Sequence, residues 1–381
     1  MNFWVVLGSI AAAAWTVVAL LPWQAHRTRE RIGAAARSCS LADVTVLIPA
    51  RNEAAQIEQC LGALSDQGSG LHAIVIDDRS EDETSRIALR CAEAARQHAS
   101  GPTIEVVSGS ELPPGWGGKL WALQQGFERA DRPWCLLLDA DIALSPRILA
   151  ALLAVAKNED AELVSVMARL RCESFWEKLL VPPFIFFFKL LYPFALVARR
   201  NSWVAAAAGG CILVRTAALR DVGAFASYAD ALIDDCTLAR RVKSSGRGIK
   251  LVLSDDVISL RAYERLSEFW GMVSRTAFTQ LQYSSVLLLA TTAVMLTVFL
   301  APVAAIFLSG NVMAVAISAL ALLMMQVDFA PVARFYGLSL VWRCMLPVAG
   351  VLYLAMTVHS ALNYYTGTRA TWKARSYGAN E

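Results

Sequence analysis

The sequence predicts an α/β domain on a mostly parallel sheet, framed by apolar helices at both ends of the chain. Two observations carry this. Between roughly residues 40 and 280, short apolar runs alternate with segments of three-to-four apolar spacing, the pattern of a sheet covered by helices on both faces. Outside that region, Met1–Pro22 and Val286–Val327 contain no Lys, Arg, Asp or Glu. The 56% hydrophobic and 18% charged residues are therefore unevenly shared, and a polar middle region sits between membrane-type segments.

The first apolar stretch, Phe3–Leu21, gives about 28 Å of helix, enough for a hydrocarbon core of roughly 30 Å. A signal peptide would need a basic start and a shorter apolar run. Arg27, Arg29, Arg31 and Arg37 follow directly, which by the positive-inside rule puts the N-terminus outside and the middle region in the cytoplasm. Leu41–Ile48 then reads as a buried strand ending in the turn Pro49-Ala50-Arg51-Asn52-Glu53. Ile57, Cys60, Leu61 and Leu64 mark one face of a helix. A second apolar run, Ala73–Ile76, ends in Asp77-Asp78-Arg79-Ser80, and a helix over about Asp82–His98 follows. Thr103–Val107 and Trp134–Leu138 are further strands, with a helix from Lys119 to Arg129 between them. Gly209-Gly210 precedes one more apolar strand, Cys211–Val214.

In such sheets ligands bind at the carboxyl ends of the strands, so the residues just past them are the ones to examine. Asp77-Asp78 and Asp139-Ala140-Asp141 both stand there. One Asp after a strand is ordinary turn chemistry; two such groups on one sheet point to a ligand. If the chain turns at Ala140, Asp139 and Asp141 approach a single ligand, and their hard oxygens suit Mg²⁺ or Mn²⁺ on a diphosphate. Pro113-Pro114-Gly115-Trp116-Gly117-Gly118-Lys119 is a glycine-rich turn opening a helix. Its backbone N–H groups, the helix N-terminus and the Lys119 cation all favour an anion. Asp234-Asp235 opens another helix. One of the pair, Asp234, serves the helix N-terminus in this reading, and Asp235 is the candidate general base.

Other chemistries are disfavoured. A net charge of +3 gives no basis for nucleic-acid binding. The eight cysteines form no C-x-x-C pair and the four histidines are scattered, so no zinc spacing appears and free thiols in a reducing compartment are expected. A haloacid-dehalogenase-type phosphatase also ends a strand in D-x-D but wants Thr or Val where this chain has Ala143. A non-catalytic membrane scaffold would not need this set of carboxylates.

Together these residues resemble the family 2 glycosyltransferases with the GT-A fold, over about Val44–Arg275. Val44–Glu53 is similar to that family's opening strand and P-x-x-N-E turn. The resemblance implies that Pro49, Glu53, Asp78, Lys119, Asp139 and Asp141 bind a nucleotide sugar, with Asp78 at the base and ribose and the D-x-D pair holding a divalent metal. Asp234-Asp235 stands where the family has an E-D pair whose second member deprotonates the acceptor. Gly209, Gly210, Asp234 and Arg275 are the implied acceptor or product contacts. Within the family, P-P-G-W-G-G-K-L-W-A-L, the flanking membrane helices and the terminal T-W-K-A-R resemble the hopene-associated glycosyltransferases, and ceramide glucosyltransferase more distantly. The (Q/R)-x-x-R-W motif of processive synthases is reduced to Arg275 in Met272-Val273-Ser274-Arg275-Thr276, against a polysaccharide synthase. The implied enzyme inverts at the anomeric carbon, takes a UDP-sugar and gives it to a lipid of hopanoid or sphingolipid type; a polyprenyl-phosphate sugar synthase is the alternative. It is an integral protein of a bacterial-type inner membrane.

The expected layout is a membrane helix over 1–23, a basic linker over 24–43, the catalytic domain over 44–285, membrane helices over 286–362 and a tail over 363–381. Within it, residues 173–200 are read as an interfacial or re-entrant element, with a buried core helix as the other reading. Pro182, Pro183 and Pro193 interrupt its apolar runs, and Lys178, Lys189, Arg199 and Arg200 reach for headgroups. Val286–Ser309 and Val312–Val327 form a hairpin turning at Ser309-Gly310-Asn311, and Arg343–Leu362 is one more apolar segment. If that last segment crosses, Arg369, Lys373 and Arg375 lie outside, against the charge rule; if it does not, they lie inside.

Overall fold

The computed structural model describes residues 2–37, 39–97 and 101–367, with the backbone of 371–372 and 375–376. His98, Arg369 and Lys373, and with them much of the terminal T-W-K-A-R stretch, lie outside the described residues. The chain forms two compact units. One comprises Glu30–Arg171 and Leu196–Arg261; the other comprises the first 29 residues, Cys172–Ala195 and Ala262–Thr368.

The first unit is an eight-stranded sheet with helices. Its strands are β1 (Val44–Ala50), β2 (His72–Asp77), β3 (Thr103–Ser108), β4 (Trp134–Leu138), β5 (Ile142–Leu144), β6 (Leu163–Arg169), β7 (Cys211–Arg215) and β8 (Ile249–Ser259), in the order β3-β2-β1-β4-β7-β6-β8-β5. β3, β2, β1 and β4 run parallel. β7 runs antiparallel between β4 and β6, and β8 is parallel to β6. The expected mostly parallel α/β sheet is thus present, with antiparallel pairings in its second half. Every residue of β1 and β4 is buried, as their strongly apolar sequences require.

Helix Ile57–Leu64 buries Ile57, Cys60, Leu61 and Leu64, the face its spacing predicts. Helix Gly118–Phe127 lies close on β1 and β2 because Gly126 has no side chain: a Cβ there would come 2.6 Å from Ile76 Cδ1. Lys243, on helix Asp234–Ser244, is buried and donates to the carbonyls of Leu196 (3.1 Å), Val197 (2.8 Å) and Val204 (2.6 Å). It fastens that helix to the stretch of chain that runs into Gly209.

The second unit is helical. Phe3–Leu20, Ser285–Leu308, Val312–Phe335 and Leu346–Tyr365 are each long and apolar enough to cross a membrane, the last segment included. Gly8 lets the first of these approach the third, since a Cβ would meet Ser318 Oγ at 2.8 Å. The Val312 helix is capped by Asn311, whose Oδ1 accepts the Ala314 N–H at 3.0 Å. It runs eight residues past Val327, through Asp328 and Pro331.

Two readings of residues 173–200 change. Phe175–Leu191 is a continuous helix despite Pro182 and Pro183. A capping box fixes its start: Glu177 N–H donates to Ser174 Oγ (3.1 Å), and Glu177 Oε2 accepts the Ser174 N–H (2.9 Å). Both prolines are buried in packing, which holds the helix across the two missing donors. Lys189 does not reach outward; it is fully buried with Nζ 3.6 Å above the Phe194 ring.

Lys243→Met keeps the volume but strips three buried carbonyls of their donor. It is expected to destabilise the sheet unit by about 1–3 kcal/mol, read as a lower melting temperature of the detergent-solubilised protein; an unchanged melt would remove Lys243 from the support of the site.

Candidate active site

The strand order places β1, β4 and β7 side by side. The chain just past β4 and the two glycines before β7 therefore meet. The Asp139 N–H donates to the Gly210 carbonyl at 3.0 Å, and the Ile142 N–H to the Asp139 carbonyl at 3.0 Å. The second bond closes a tight turn over Asp139-Ala140-Asp141-Ile142, so the chain does turn where a shared ligand requires it. Beside β1, the turn after Pro49 interlocks with the one after β2. Arg51, 7% exposed, donates to the carbonyls of Asp78 (2.6 Å) and Arg79 (2.9 Å). The Asn52 and Glu53 N–H groups donate to Ser80 Oγ and Thr84 Oγ1, and the Asp78 N–H to the Ala50 carbonyl at 2.8 Å.

One pocket gathers Pro49, Lys119, Asp139, Gly209, Asp234 and Asp235, with Leu120, Leu123, Phe225, Tyr228 and Leu238 among its apolar and aromatic lining. Lys119 Nζ lies 2.6 Å from Asp139 Oδ1 and 3.8 Å from Asp234 Oδ2. A Cβ on Gly209 would stand 3.2 Å from Asp235 Oδ2 and 3.5 Å from Lys119 Nζ, so glycine there leaves the lysine and the carboxylate their room. The Gly117 N–H donates to the Ala229 carbonyl at 2.7 Å and ties the glycine-rich turn to the segment before Asp234. No side chain caps the helix that Lys119 opens.

Burial dominates the electrostatics. It pushes the Asp139 carboxyl up to about 6, with Lys119 pulling down and Asp141 pushing up. It pushes Asp235 up to about 7, helped by the Asp234 charge and opposed by the Cys236 N–H and Lys119. For Lys119, burial favours the neutral amine, but Asp139, Asp234 and Asp235 outweigh it and hold the ammonium well above its ordinary range.

The remaining sequence-predicted residues are not in the lining of this pocket. Asp78 is fully buried under the Arg51 clamp. Glu53 sits in the interlocked turn, Asp141 on the turn after β4, and Gly210 beneath Asp139. Arg275 is exposed on Leu266–Gln280, in the helical unit. The division of labour in the acidic pair differs from the expectation: Asp235 Oδ1 accepts a first-turn N–H, from Cys236 at 2.6 Å, while Asp234 faces Lys119. Arg51 and Tyr228 escaped the sequence reading. Arg51 was visible only as a basic residue in a turn, and Tyr228 as an aromatic six residues before Asp234.

Among the described residues, no three His, Cys, Asp or Glu side chains form a group that would hold a metal by themselves. The Asp139/Asp141 pair still fits a hard divalent cation that completes its shell with diphosphate oxygens, the usual way Mg²⁺ is held in such sites.

A family model described as glycosyltransferase like family 2 matches residues 42–278, more than half of the chain. The chain belongs to that family and is a glycosyltransferase. The mannosyltransferase PcManGT of Pyrobaculum calidifontis, solved with GDP-Man and Mn²⁺, aligns with a TM-score of 0.56 at 17% identity over 96% of this chain and all of that one, which supports the GT-A fold. Glucosyl-3-phosphoglycerate synthase of Mycobacterium tuberculosis, solved with Mg²⁺ and UDP, aligns with a TM-score of 0.42 at 17% identity over 67% of this chain and 86% of that one. A 4,4'-diaponeurosporenoate glycosyltransferase of Staphylococcus haemolyticus (strain JCSC1435) is 30% identical over 102 residues, 27% of this chain and a quarter of that protein's length.

Lys119 lowers both Asp139 and Asp235, so Lys119→Met should let both titrate higher. The acidic limb of the sugar-transfer rate is expected to move to higher pH in this variant. A limb that stays in place while the rate falls would show that the lysine acts on the ligand alone.

Proposed function

We propose that this chain is a membrane-bound inverting glycosyltransferase that moves a sugar from a UDP-sugar to the hydroxyl of a polar lipid, of hopanoid or sphingolipid type. The observation that carries the reading is Lys119, 2.6 Å from Asp139 and 3.8 Å from Asp234. That single cation joins the turn after β4 to the acidic helix N-terminus in one pocket.

In this reading Asp235 takes the acceptor's hydroxyl proton as the oxygen attacks the anomeric carbon. The bond from that carbon to the diphosphate oxygen breaks, and its electron pair leaves with the nucleoside diphosphate. Attack opposite the departing group inverts the centre and needs no covalent sugar–enzyme intermediate. Lys119 holds positive charge where the diphosphate negative charge grows. Asp139 and Asp141 would hold a divalent cation, Mg²⁺ or Mn²⁺, which would add positive charge at the diphosphate oxygens. Asp78 and Glu53 belong to the nucleotide side, and Gly209, Gly210, Asp234 and Arg275 to the acceptor side.

A carboxyl raised to about 7 suits deprotonation of a hydroxyl near neutral pH. A phosphate monoester, whose second pKa is about 6, is already ionised there and needs no base, which favours a hydroxyl acceptor over polyprenyl phosphate. The four membrane-length helices support a lipid acceptor. Four crossings return the chain to its starting face. With Arg27, Arg29, Arg31 and Arg37 following the first helix, the charge rule favours a cytoplasmic sheet unit; four crossings then put the C-terminal end outside, where its basic residues run against the same rule.

The direct test is transfer of labelled sugar from UDP-sugars to a bacterial lipid extract in Mn²⁺, with calorimetry of UDP, GDP and CMP beside it. Tighter GDP binding would replace the UDP assignment. Asp235→Asn is expected to cut transfer by roughly 10²–10⁴-fold with little change in donor affinity. Because only the ionised form accepts a proton, kcat/KM should fall as pH drops through about 7. Normal transfer by Asp235→Asn would move the base elsewhere.

EDTA and Asp141→Asn should each abolish most transfer, EDTA reversibly, in protein that still folds. Full activity in chelator would withdraw the metal from the reading.

A further inference from the structure

Trp203 is 94% exposed, and its ring and indole N–H have no partner among the described residues. The other exposed large apolar side chains described in the sheet unit are Leu89 at 51% and Ile258 at 39%. One exposed apolar residue is ordinary on a protein surface. Trp203 differs in its size, its near-complete exposure and the way it is presented. The buried Lys243 donates to the carbonyls of Leu196 and Val197 on the way into loop 198–203 and to that of Val204 on the way out. Within the loop, the Ser202 N–H donates to the Arg199 carbonyl at 3.1 Å, and the Val204 N–H to Ser202 Oγ at 3.2 Å. Both ends of the loop are therefore fastened from inside the unit while the ring stands in water. Its surroundings are one-sided in charge. Ala198, Arg199, Arg200 and Asn201 are exposed beside it, and residues 178–220 contain no Asp or Glu. Arg200 is engaged by Asp160, with Nη2 2.5 Å from Oδ2, whereas Arg199 makes no ion pair among the described residues.

We propose that loop 198–203 is a membrane-surface anchor of the sheet unit, with the Trp203 indole in the headgroup layer and the Arg199 guanidinium on lipid phosphates. The inference rests on the reading of the four long helices as membrane spans, and on no part of the catalytic reading. Three features favour lipid over a partner protein. The chain passes from the helical unit to the sheet unit between Ala195 and Leu196, so the loop begins three residues after a unit built of membrane-length helices. A bilayer is thus the partner this chain brings with it. An indole has an apolar body and one N–H, the combination that settles at the boundary between acyl chains and headgroups. The residues beside the ring are Arg, Asn and Ser, which suit a phosphate layer, whereas the centre of a protein interface is depleted of charge. One ring and one cation would hold a free protein on a membrane only weakly. On a chain already inserted in the bilayer the contact is intramolecular, and two groups are enough to fix how the sheet unit stands on the surface.

The test places the full-length protein in nanodiscs of phosphatidylcholine and phosphatidylglycerol, made with or without acyl chains brominated near the headgroup. Bromine quenches tryptophan only at contact range. The chain has eleven tryptophans, so Trp203→Phe is measured beside wild type, and the difference between the two emissions belongs to Trp203. That difference emission is expected to lose most of its intensity in the brominated discs, and Arg199→Gln should lessen the loss. Because the ring has no partner within the described protein, Trp203→Phe should melt as wild type does; a lower melt would give the ring a structural role and overturn the inference. Undiminished Trp203 emission, in discs where the other tryptophans are quenched, overturns the anchor and leaves the membrane reading standing. Undiminished emission that shifts when a second copy is loaded into the disc gives the ring to that copy and equally overturns it. If no tryptophan of wild type is quenched, or the chain stays in solution without lipid or detergent, the membrane reading itself fails and the inference with it.

Discussion

Lys119 is a largely buried ammonium held by carboxylates from two separate parts of the chain. Burial alone would drive the proton off the amine; Asp139, Asp234 and Asp235 together keep it on. The same contacts join the turn after β4 to the start of helix Asp234–Ser244, elements almost a hundred residues apart. Several other features serve this junction. β7 sits against β4 and brings Gly210 under Asp139. Gly209 has no side chain to push Lys119 and Asp235 apart. Lys243 anchors the acidic helix from its far end. A cation fixed by protein carboxylates is also at hand where a leaving diphosphate would gather charge.

The burial that makes Lys119 necessary also divides the acids. Asp139 and Asp235 rise to about 6 and about 7, and Lys119 restrains both. Asp139 bonds the lysine directly through Oδ1. Asp235 has its Oδ2 beside Gly209 and accepts the Cys236 N–H on Oδ1. Two acids in one pocket thus receive different work from their neighbours rather than from their own chemistry.

Much of this was legible in the sequence because the residues that matter lie at the ends of strongly apolar strands. Trp134–Leu138 was read to the residue, and the acidic turn beyond it followed. Lys119, Asp139, Gly209, Asp234 and Asp235 were all named and share one pocket. The misses have physical causes. The antiparallel insertion of β7 between β4 and β6 is a matter of pairing, which periodicity within a strand does not encode. The spanning helix read as ending at Val327 continues to Phe335 because Asp328 is fully buried within its own unit, whereas hydropathy treats any charge as a stop. Phe175–Leu191 survives its prolines because tertiary packing overrides local propensity. Tyr228 carries no pattern of its own; only the burial of its hydroxyl in three dimensions marks it.

Glu177 and Asp235 show how differently one fold can surround a carboxylate. Glu177, in the helical unit, is completely buried, yet its oxygens accept N–H groups from Glu173 (2.9 Å), Ser174 (2.9 Å) and Tyr263 (2.8 Å). Three donors satisfy its oxygens. Asp235 is given one N–H, a like charge beside it and a lysine turned mainly toward other carboxylates. Its charge is therefore tolerated rather than satisfied, as the base role proposed for it requires. For the base role proposed for Asp235, added donors would stabilise its charge and weaken it as a base, so sparse hydrogen bonding suits that role.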